Sequence, residues 1–336
     1  MIESPFIGWL ASWGGLTANT LVVLVAVVIL LGVATLAAAY LSRERADAGE
    51  SELELRVRSW WVIVALIIGA LLVGRTMALV LFAFISFLAL KEYLSIIPTR
   101  RADRAVLFFA YATIPLQFWL IATEQYGIFI VLVPVWMFVA LPSTMVLLGE
   151  TDGFLKAVGT LHWGVMSTVY SLGHLAYLLV LPKETAGIAE GAALVVTLLI
   201  LTELNDVAQY VWGKTFGRHK IIPKVSPGKT WEGFLGGMAT TLVVSALLIS
   251  FLLPQLSTSG ALTIDWWLYV ALIGLAISLG GFFGDLSVSA VKRDLGIKDS
   301  GALIPGHGGI LDRVDSLIFT APLFFHITRY FAAGYW

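Results

Sequence analysis

The chain has 336 residues, 59% of them hydrophobic and only 13% charged, with a mean hydropathy of +0.90. Soluble domains carry about 25% charged residues, so a water-soluble globule is excluded and an all-α, polytopic membrane helical bundle is expected. The net charge of −1 argues against a nucleic-acid partner, and the absence of cysteine excludes disulfides, zinc thiolates and thiol catalysis.

Apolar runs long enough to span a bilayer fall at about 17–41, 60–74, 76–97, 105–123, 126–148, 156–181, 187–212, 233–253, 266–291 and 314–334. The 60–74 run is short, so nine or ten transmembrane helices are expected. The first run ends in Ala37-Ala38-Ala39, which superficially resembles a signal-peptidase site, but no Lys or Arg precedes it and the run is expected to be retained. The 42–59 segment is mixed in charge and rich in Ala and Glu. It reads as a short surface helix or a connector. With the N-terminus outside, the inner connections hold seventeen basic residues, against only Arg75 and Lys183 on the outer ones. This bias puts both chemically rich loops on the cytoplasmic side of an integral membrane protein.

Three stretches carry chemistry. In 202–220, Glu203, Asn205 and Asp206 interrupt an apolar helix, and an intramembrane acid defaults to a functional role. Asn205 and Gln209 share a helix face. Gly213 and Gly217 are expected to break the helix before Lys214, Arg218 and Lys220. In 222–237, Pro223, Pro227 and Gly228 force a turn, with Ser226, Lys229 and Thr230 just ahead of a helix. A helix start favours anionic oxygens, although Ser226 or Thr230 could equally be a cap in a capping box. Gly228-Lys229-Thr230 lacks the upstream glycine of a Walker A loop and no strand precedes it, so a P-loop fold is rejected.

The third stretch, 280–315, is the densest. Gly280, Gly281 and Gly284 allow close approach near Asp285, with Ser289 one turn on. Lys292 and Arg293 mark the exit from the membrane, and Lys298, Asp299 and His307 lie in a Gly-rich loop. Asp312, Arg313 and Asp315 open the last run. Carboxylates suit a hard cation such as Mg²⁺ and basic side chains suit phosphate. The stretch therefore reads as a metal-and-phosphate site at a membrane surface.

The pattern Ser289-x-Val291-Lys292-Arg293-x₄-Lys298-Asp299-x-Gly301-x₂-Ile304-Pro305-x-His307-Gly308-Gly309-x₂-Asp312-Arg313-x-Asp315 resembles the signature of the phosphatidate cytidylyltransferases, the CDP-diacylglycerol synthases. Asn205-Asp206, Gly213-Lys214, Gly217 and the run Ser226 to Gly233 are similar to that family as well. The likeness is strongest over about 200–316. Gln209 stands where a smaller residue is expected, which suggests a divergent branch. The resemblance implies three parts: residues 1–59 as an additional span and linker, 60–198 as membrane-spanning helices, and 199–336 as the catalytic domain.

It further implies the reaction CTP + phosphatidate → CDP-diacylglycerol + pyrophosphate, with Mg²⁺ (one or two ions) as cofactor. Phosphatidate would come from the inner leaflet of a bacterial inner membrane, and the protein would form a homodimer. Asp285, Asp312 and Asp315 would hold the metal. Lys229, Ser226 and Thr230 would hold CTP phosphates. Lys292, Arg293 and Lys298 would neutralise phosphatidate or pyrophosphate, and His307 would hydrogen-bond a phosphate. Asn205 and Asp206 would contact nucleotide or support the metal. Lys214, Ser289, Asp299 and Arg313 complete the expected substrate contacts. The rival readings are a CTP-dependent polyprenol kinase, a CDP-lipid synthase acting on another lipid phosphate, and a transporter. A transporter is disfavoured because no internal repeat is found.

Overall fold

The computed structural model describes residues 16–42, 52–98, 104–149, 151–181, 191–254 and 264–332. The mixed-charge stretch 43–51, the 99–103 connection and the 182–190 connection with Lys183 lie outside the described residues. Ten long helices match the ten apolar runs. They are α1 (Ala18–Ser42), α2 (Glu52–Val73), α3 (Arg75–Ile96) and α4 (Arg104–Ala122); α5 (Tyr126–Leu147), which contains a π-helical turn at Leu132–Met137; and α6, in which Phe154–Val165 continues through a π-helical turn, Met166–Tyr170, into Ser171–Tyr177. Then come α7 (Gly191–Phe216), α8 (Trp231–Leu252), α9 (Ile264–Asp294), the single-turn α10 (Leu311–Val314) and α11 (Leu317–Ala332). Among the described residues, seven helices are long and apolar enough to cross a membrane by length and composition: α1, α2, α3, α5, α7, α8 and α9.

The packing is layered around α7. Two-thirds of its apolar window is buried inside the protein, against 17% for α1 and α2, which sit at the edge. α7 packs on α8, α8 on α9, and α9 on α11, while α11 also meets α6. Lipid tails are as apolar as leucine, so close packing rather than water exclusion holds such helices together, and small residues at crossings matter. Gly213 does not break α7, which runs on to Phe216 and stops at Gly217. Gly213 instead lets α8 come in: a Cβ on Gly233 would lie 2.9 Å from Gly213 Cα and 2.7 Å from the Gln209 carbonyl.

The short 60–74 run is the tail of a longer helix. α2 begins at Glu52, so its first two turns carry Glu54, Arg56 and Arg58 out of the apolar segment. That polar extension meets the loop between α9 and α10.

Candidate active site

Four structural pieces converge at one end of α7–α11: the acidic turn of α7, the 217–230 loop, the end of α9 with its following loop, and the 312–316 segment. The 217–230 loop folds as a closed turn. Ile221 N–H donates to Lys229 O at 3.2 Å, and Trp231 N–H donates to His219 O at 2.9 Å. Thr230 is the N-cap of α8, its hydroxyl accepting from Gly233 N–H at 3.1 Å. Glu232 does not reach back to the cap as a reciprocal capping box would. Its Oε2 accepts from Arg218 and His219 N–H at 3.0 and 3.2 Å and ties the two ends of the loop together. Thr230 is buried, and its hydroxyl caps α8.

This loop delivers Lys229. Its ammonium lies 2.7 Å from Asp285 Oδ2, 3.4 Å from Gln209 Oε1 and over the Phe282 ring. Gln209 in turn donates to Asn205 Oδ1 at 3.2 Å, and Thr241 donates to the same oxygen at 3.2 Å. Asn205 is fully buried; it connects to Lys229 through Gln209, and its Nδ2 has no hydrogen-bond partner. Lys214 is not brought in: it is exposed, with its ammonium over the Tyr210 ring. Ser226 lies in the same turn as Lys229, its backbone N–H donating to Ile222 O at 3.0 Å.

Along α9, Asp285, Ser289 and Lys292 fall on one face, four and then three residues apart. Ser289 Oγ donates to Asp285 Oδ1 at 3.2 Å. The 312–316 segment runs back along this face. At one end Lys292 Nζ meets Asp312 Oδ1 at 2.6 Å. At the other, Gly284 closes on the chain, where a Cβ would stand 2.5 Å from Asp315 O. Two of the three expected metal carboxylates, Asp285 and Asp312, are therefore at the same rim, each met by a lysine, and the backbone of the third, Asp315, closes on Gly284. Arg293 joins the two motif loops by donating to Val225 O and Ile297 O at 3.4 and 3.3 Å.

Asp312 is only 7% exposed, and its second oxygen accepts from Ser300 N–H (2.9 Å), Ser300 Oγ (2.8 Å) and Gly309 N–H (3.1 Å). Burial pushes its carboxyl up, but the Lys292 bond and the Gly309 and Ser300 amides outweigh that and hold it below the ordinary carboxylate value. Asp206, Asp285 and Asp315 repel one another, with Glu203 beside Asp206; Lys229 and Arg313 counter them. Asp206 Oδ2 accepts from Ser316 Oγ at 2.7 Å, while its Oδ1 is buried without a partner. Four acidic groups thus face two basic ones around an orphaned carboxylate oxygen. That surplus fits a divalent cation, and Mg²⁺ is usually held by one or two carboxylates together with substrate phosphates. No ready-made cluster of three metal-ligating side chains occurs among the described residues.

Beside this centre lies a cavity of about 630 Å³ lined by Arg56, Lys298, Asp299, His307 and Arg313 with loop backbone. Burial, followed by the charge of Arg313 and then by that of Arg56, lowers the His307 pKa, so its imidazole is neutral near pH 7. Its edge contacts Trp60, with ring centroids 6.0 Å apart. Arg56 donates to Gly306 O at 3.2 Å and Ser59 to Pro305 O at 2.7 Å. Arg56, Ser59, Trp60, Ser300, Ser316 and Glu92 (at 92 in α3) are the contributors that the sequence reading did not single out. Glu92 carried a usable signal, since it is an acid within an apolar run.

The fold and this centre define a polytopic helical membrane protein whose acidic and basic side chains gather at one end of α7–α11. A model of the cytidylyltransferase family matches residues 54–331. The chain is 46% identical over 301 residues to the uncharacterized protein YnbB of Escherichia coli (strain K12), covering 90% of this chain and 95% of that protein. It is 32% identical over 273 residues to the phosphatidate cytidylyltransferase of Staphylococcus haemolyticus, covering 80% and 97%. The Haemophilus influenzae phosphatidate cytidylyltransferase is 43% identical over 134 residues, covering 40% and 45%. The chain belongs to the cytidylyltransferase family, and it is a nucleotidyltransferase of the membrane.

Proposed function

We propose that the enzyme transfers a cytidylyl group from CTP to phosphatidate at the cytoplasmic rim of the membrane. A phosphate oxygen of phosphatidate attacks the α-phosphorus of CTP. The bond from that phosphorus to the β-phosphate bridging oxygen breaks, pyrophosphate leaves, and CDP-diacylglycerol remains in the bilayer. The nucleophile is already anionic near pH 7, so the main obstacle is repulsion between two anions. Catalysis then rests on positioning and charge neutralisation.

The observation that carries this reading is that the 217–230 loop and the end of α9 each bring a lysine onto a carboxylate at the same rim, Lys229 onto Asp285 and Lys292 onto Asp312. In it, Lys229 turns to the CTP phosphates with Ser226 beside it. Lys292, Arg293 and Lys298 neutralise the lipid phosphate and the leaving pyrophosphate. Arg56, Arg313 and neutral His307 line the adjoining anion cavity, His307 acting as a hydrogen-bond donor rather than a cation. Asp285 and Asp315, joined by Asp312 once Lys292 turns to a phosphate, would hold Mg²⁺, which supplies charge neutralisation at the phosphates. Asp206 and Ser289 support these carboxylates, and Asp299 lies at the cavity rim.

The test uses purified protein in nanodiscs with CTP and phosphatidate, or with other lipid phosphates and polyprenols, with and without EDTA. The expected result is CDP-diacylglycerol and equimolar pyrophosphate, abolished by EDTA. Formation of a lipid phosphate and CDP without pyrophosphate would instead establish a kinase, and turnover of another lipid phosphate with phosphatidate inert would replace the acceptor.

A further inference from the structure

The loop between α9 and α10 carries most of the family signature, yet a principal anchor for it comes from α3, more than 200 residues earlier. Glu92 Oε2 accepts from Ile310 N–H at 2.9 Å, and Oε1 accepts from Leu311 N–H at 3.0 Å. Ser300 Oγ lies 2.5 Å from Glu92 Oε1 and 2.8 Å from Asp312 Oδ2, so one hydroxyl sits between the two carboxylates and donates its single proton to one or the other. The loop is also shaped around this acid: a Cβ on Gly301 would sit 2.8 Å from Oε2, and one on Gly309 would overlap the carboxylate. An acid in an apolar helix costs several kcal/mol unless it finds partners. The partners it finds here are the backbone and hydroxyl of the chemically rich loop.

We infer that Glu92 is a positioning residue: it fixes the 300–311 loop and, through Ser300, orients Asp312 and the Lys292 that pairs with it. Two of the three donors on Asp312 Oδ2 belong to Ser300, and the third is the Gly309 amide beside the Glu92-bound Ile310. Removing the Glu92 carboxylate therefore loosens every contact that aims Asp312 except the Lys292 pair. The catalytic readouts of this role rest on the proposed cytidylyl transfer; the loop-order readout does not.

The experiment compares full-length wild type, Glu92→Gln, Glu92→Ala and Glu92→Asp in nanodiscs. In ligand-free, metal-free protein, amide exchange over 300–311 should rise at least ~10-fold in the Gln and Ala variants, while the 217–230 loop stays unchanged. In turnover, kcat should fall ~10–100-fold and the Mg²⁺ needed for half-maximal rate should rise about tenfold, as for other residues that orient ligating carboxylates. The KM for CTP should stay within about threefold, and Glu92→Asp should recover part of kcat. A purely packing role would lower thermal stability and leave kcat per folded molecule unchanged. Unaltered exchange over 300–311, or a Glu92→Gln enzyme with wild-type kcat and Mg²⁺ dependence, would overturn the assignment. If the Ala variant does not fold, the near-isosteric Gln variant decides. A wild type inactive on phosphatidate would sink the proposed function alone, since the exchange measurement still tests Glu92.

Discussion

Asp285 and Asp312 are each neutralised by a lysine from elsewhere in the motif set, and the two pairs behave differently on mutation. Asp285 lies in the acidic cluster facing Lys229, so Asp285→Asn should lower turnover by ~10²–10³-fold, as loss of a preorganised charged group does, with little loss of thermal stability. Pyrophosphate release by purified variant checks this, and near wild-type turnover would refute it. Asp312 also organises its loop. Its folded-state value is held below the ordinary 3.8, so its stabilising contribution is full above that value and drains away as pH falls further. Thermal unfolding followed from pH 6 to pH 3 should show a shallower acid-side loss in Asp312→Asn than in wild type. Asp206 and Asp285 stand out in the sequence as acids within apolar runs, Lys229 as a lysine in a Pro-Gly turn ahead of a helix, and Lys292 and Asp312 as charges at the mouths of the last two runs. Glu92 answers to the same rule on intramembrane acids. Its partners are backbone amides more than 200 residues along the chain, which the sequence around it does not announce. Asn205 and Thr230 were legible as polar residues in the right stretches, but which neighbour each would satisfy is a matter of three-dimensional packing.

At the scale of elements, the α7–α8 crossing and the 217–230 loop position Lys229, the proposed contact for the CTP phosphates. Thr230 caps α8 through Gly233 N–H, so Thr230→Ala should cost ~1 kcal/mol of stability, readable as a lower unfolding temperature in detergent, and should weaken CTP binding by freeing Lys229. Gly233 sits where α8 touches the Gln209 carbonyl. Gly233→Val should force the helices apart and depress both folding yield and activity, whereas Gly228→Ala, in open space within the same loop, should do neither. The helices themselves follow from runs of apolar residues, and the breaks follow from Gly and Pro. The start of α2 was harder to read: its first two turns are polar and become part of a helix whose charged face has the signature loop to rest on.

For the whole molecule, basic residues concentrate on one set of connections, the bias that underlies the proposed cytoplasmic placement of the site. Because the chain lacks cysteine, single introduced thiols report sidedness directly. A membrane-impermeant maleimide should label Lys224→Cys in inverted inner-membrane vesicles but not in intact cells freed of outer membrane, and Gln125→Cys should label the opposite way. The reverse pattern would turn the topology over. Helix number and the common rim of the acidic residues could be read from hydropathy and charge alone. The arrangement of α11 against both α6 and α9 could not, since it depends on which apolar faces fit.

The grip of α2 and α3 on the 300–311 loop bears on how such enzymes can be recombined. A hybrid that takes its last 140 or so residues from one relative and its first half from another inherits a signature loop tailored to someone else's helices. Such grafts should work only when the donor of the front half supplies an acid facing the loop glycines and an arginine and hydroxyl for its proline corner. Transplanting those three positions along with the back half is the smallest change that should rescue a failed hybrid.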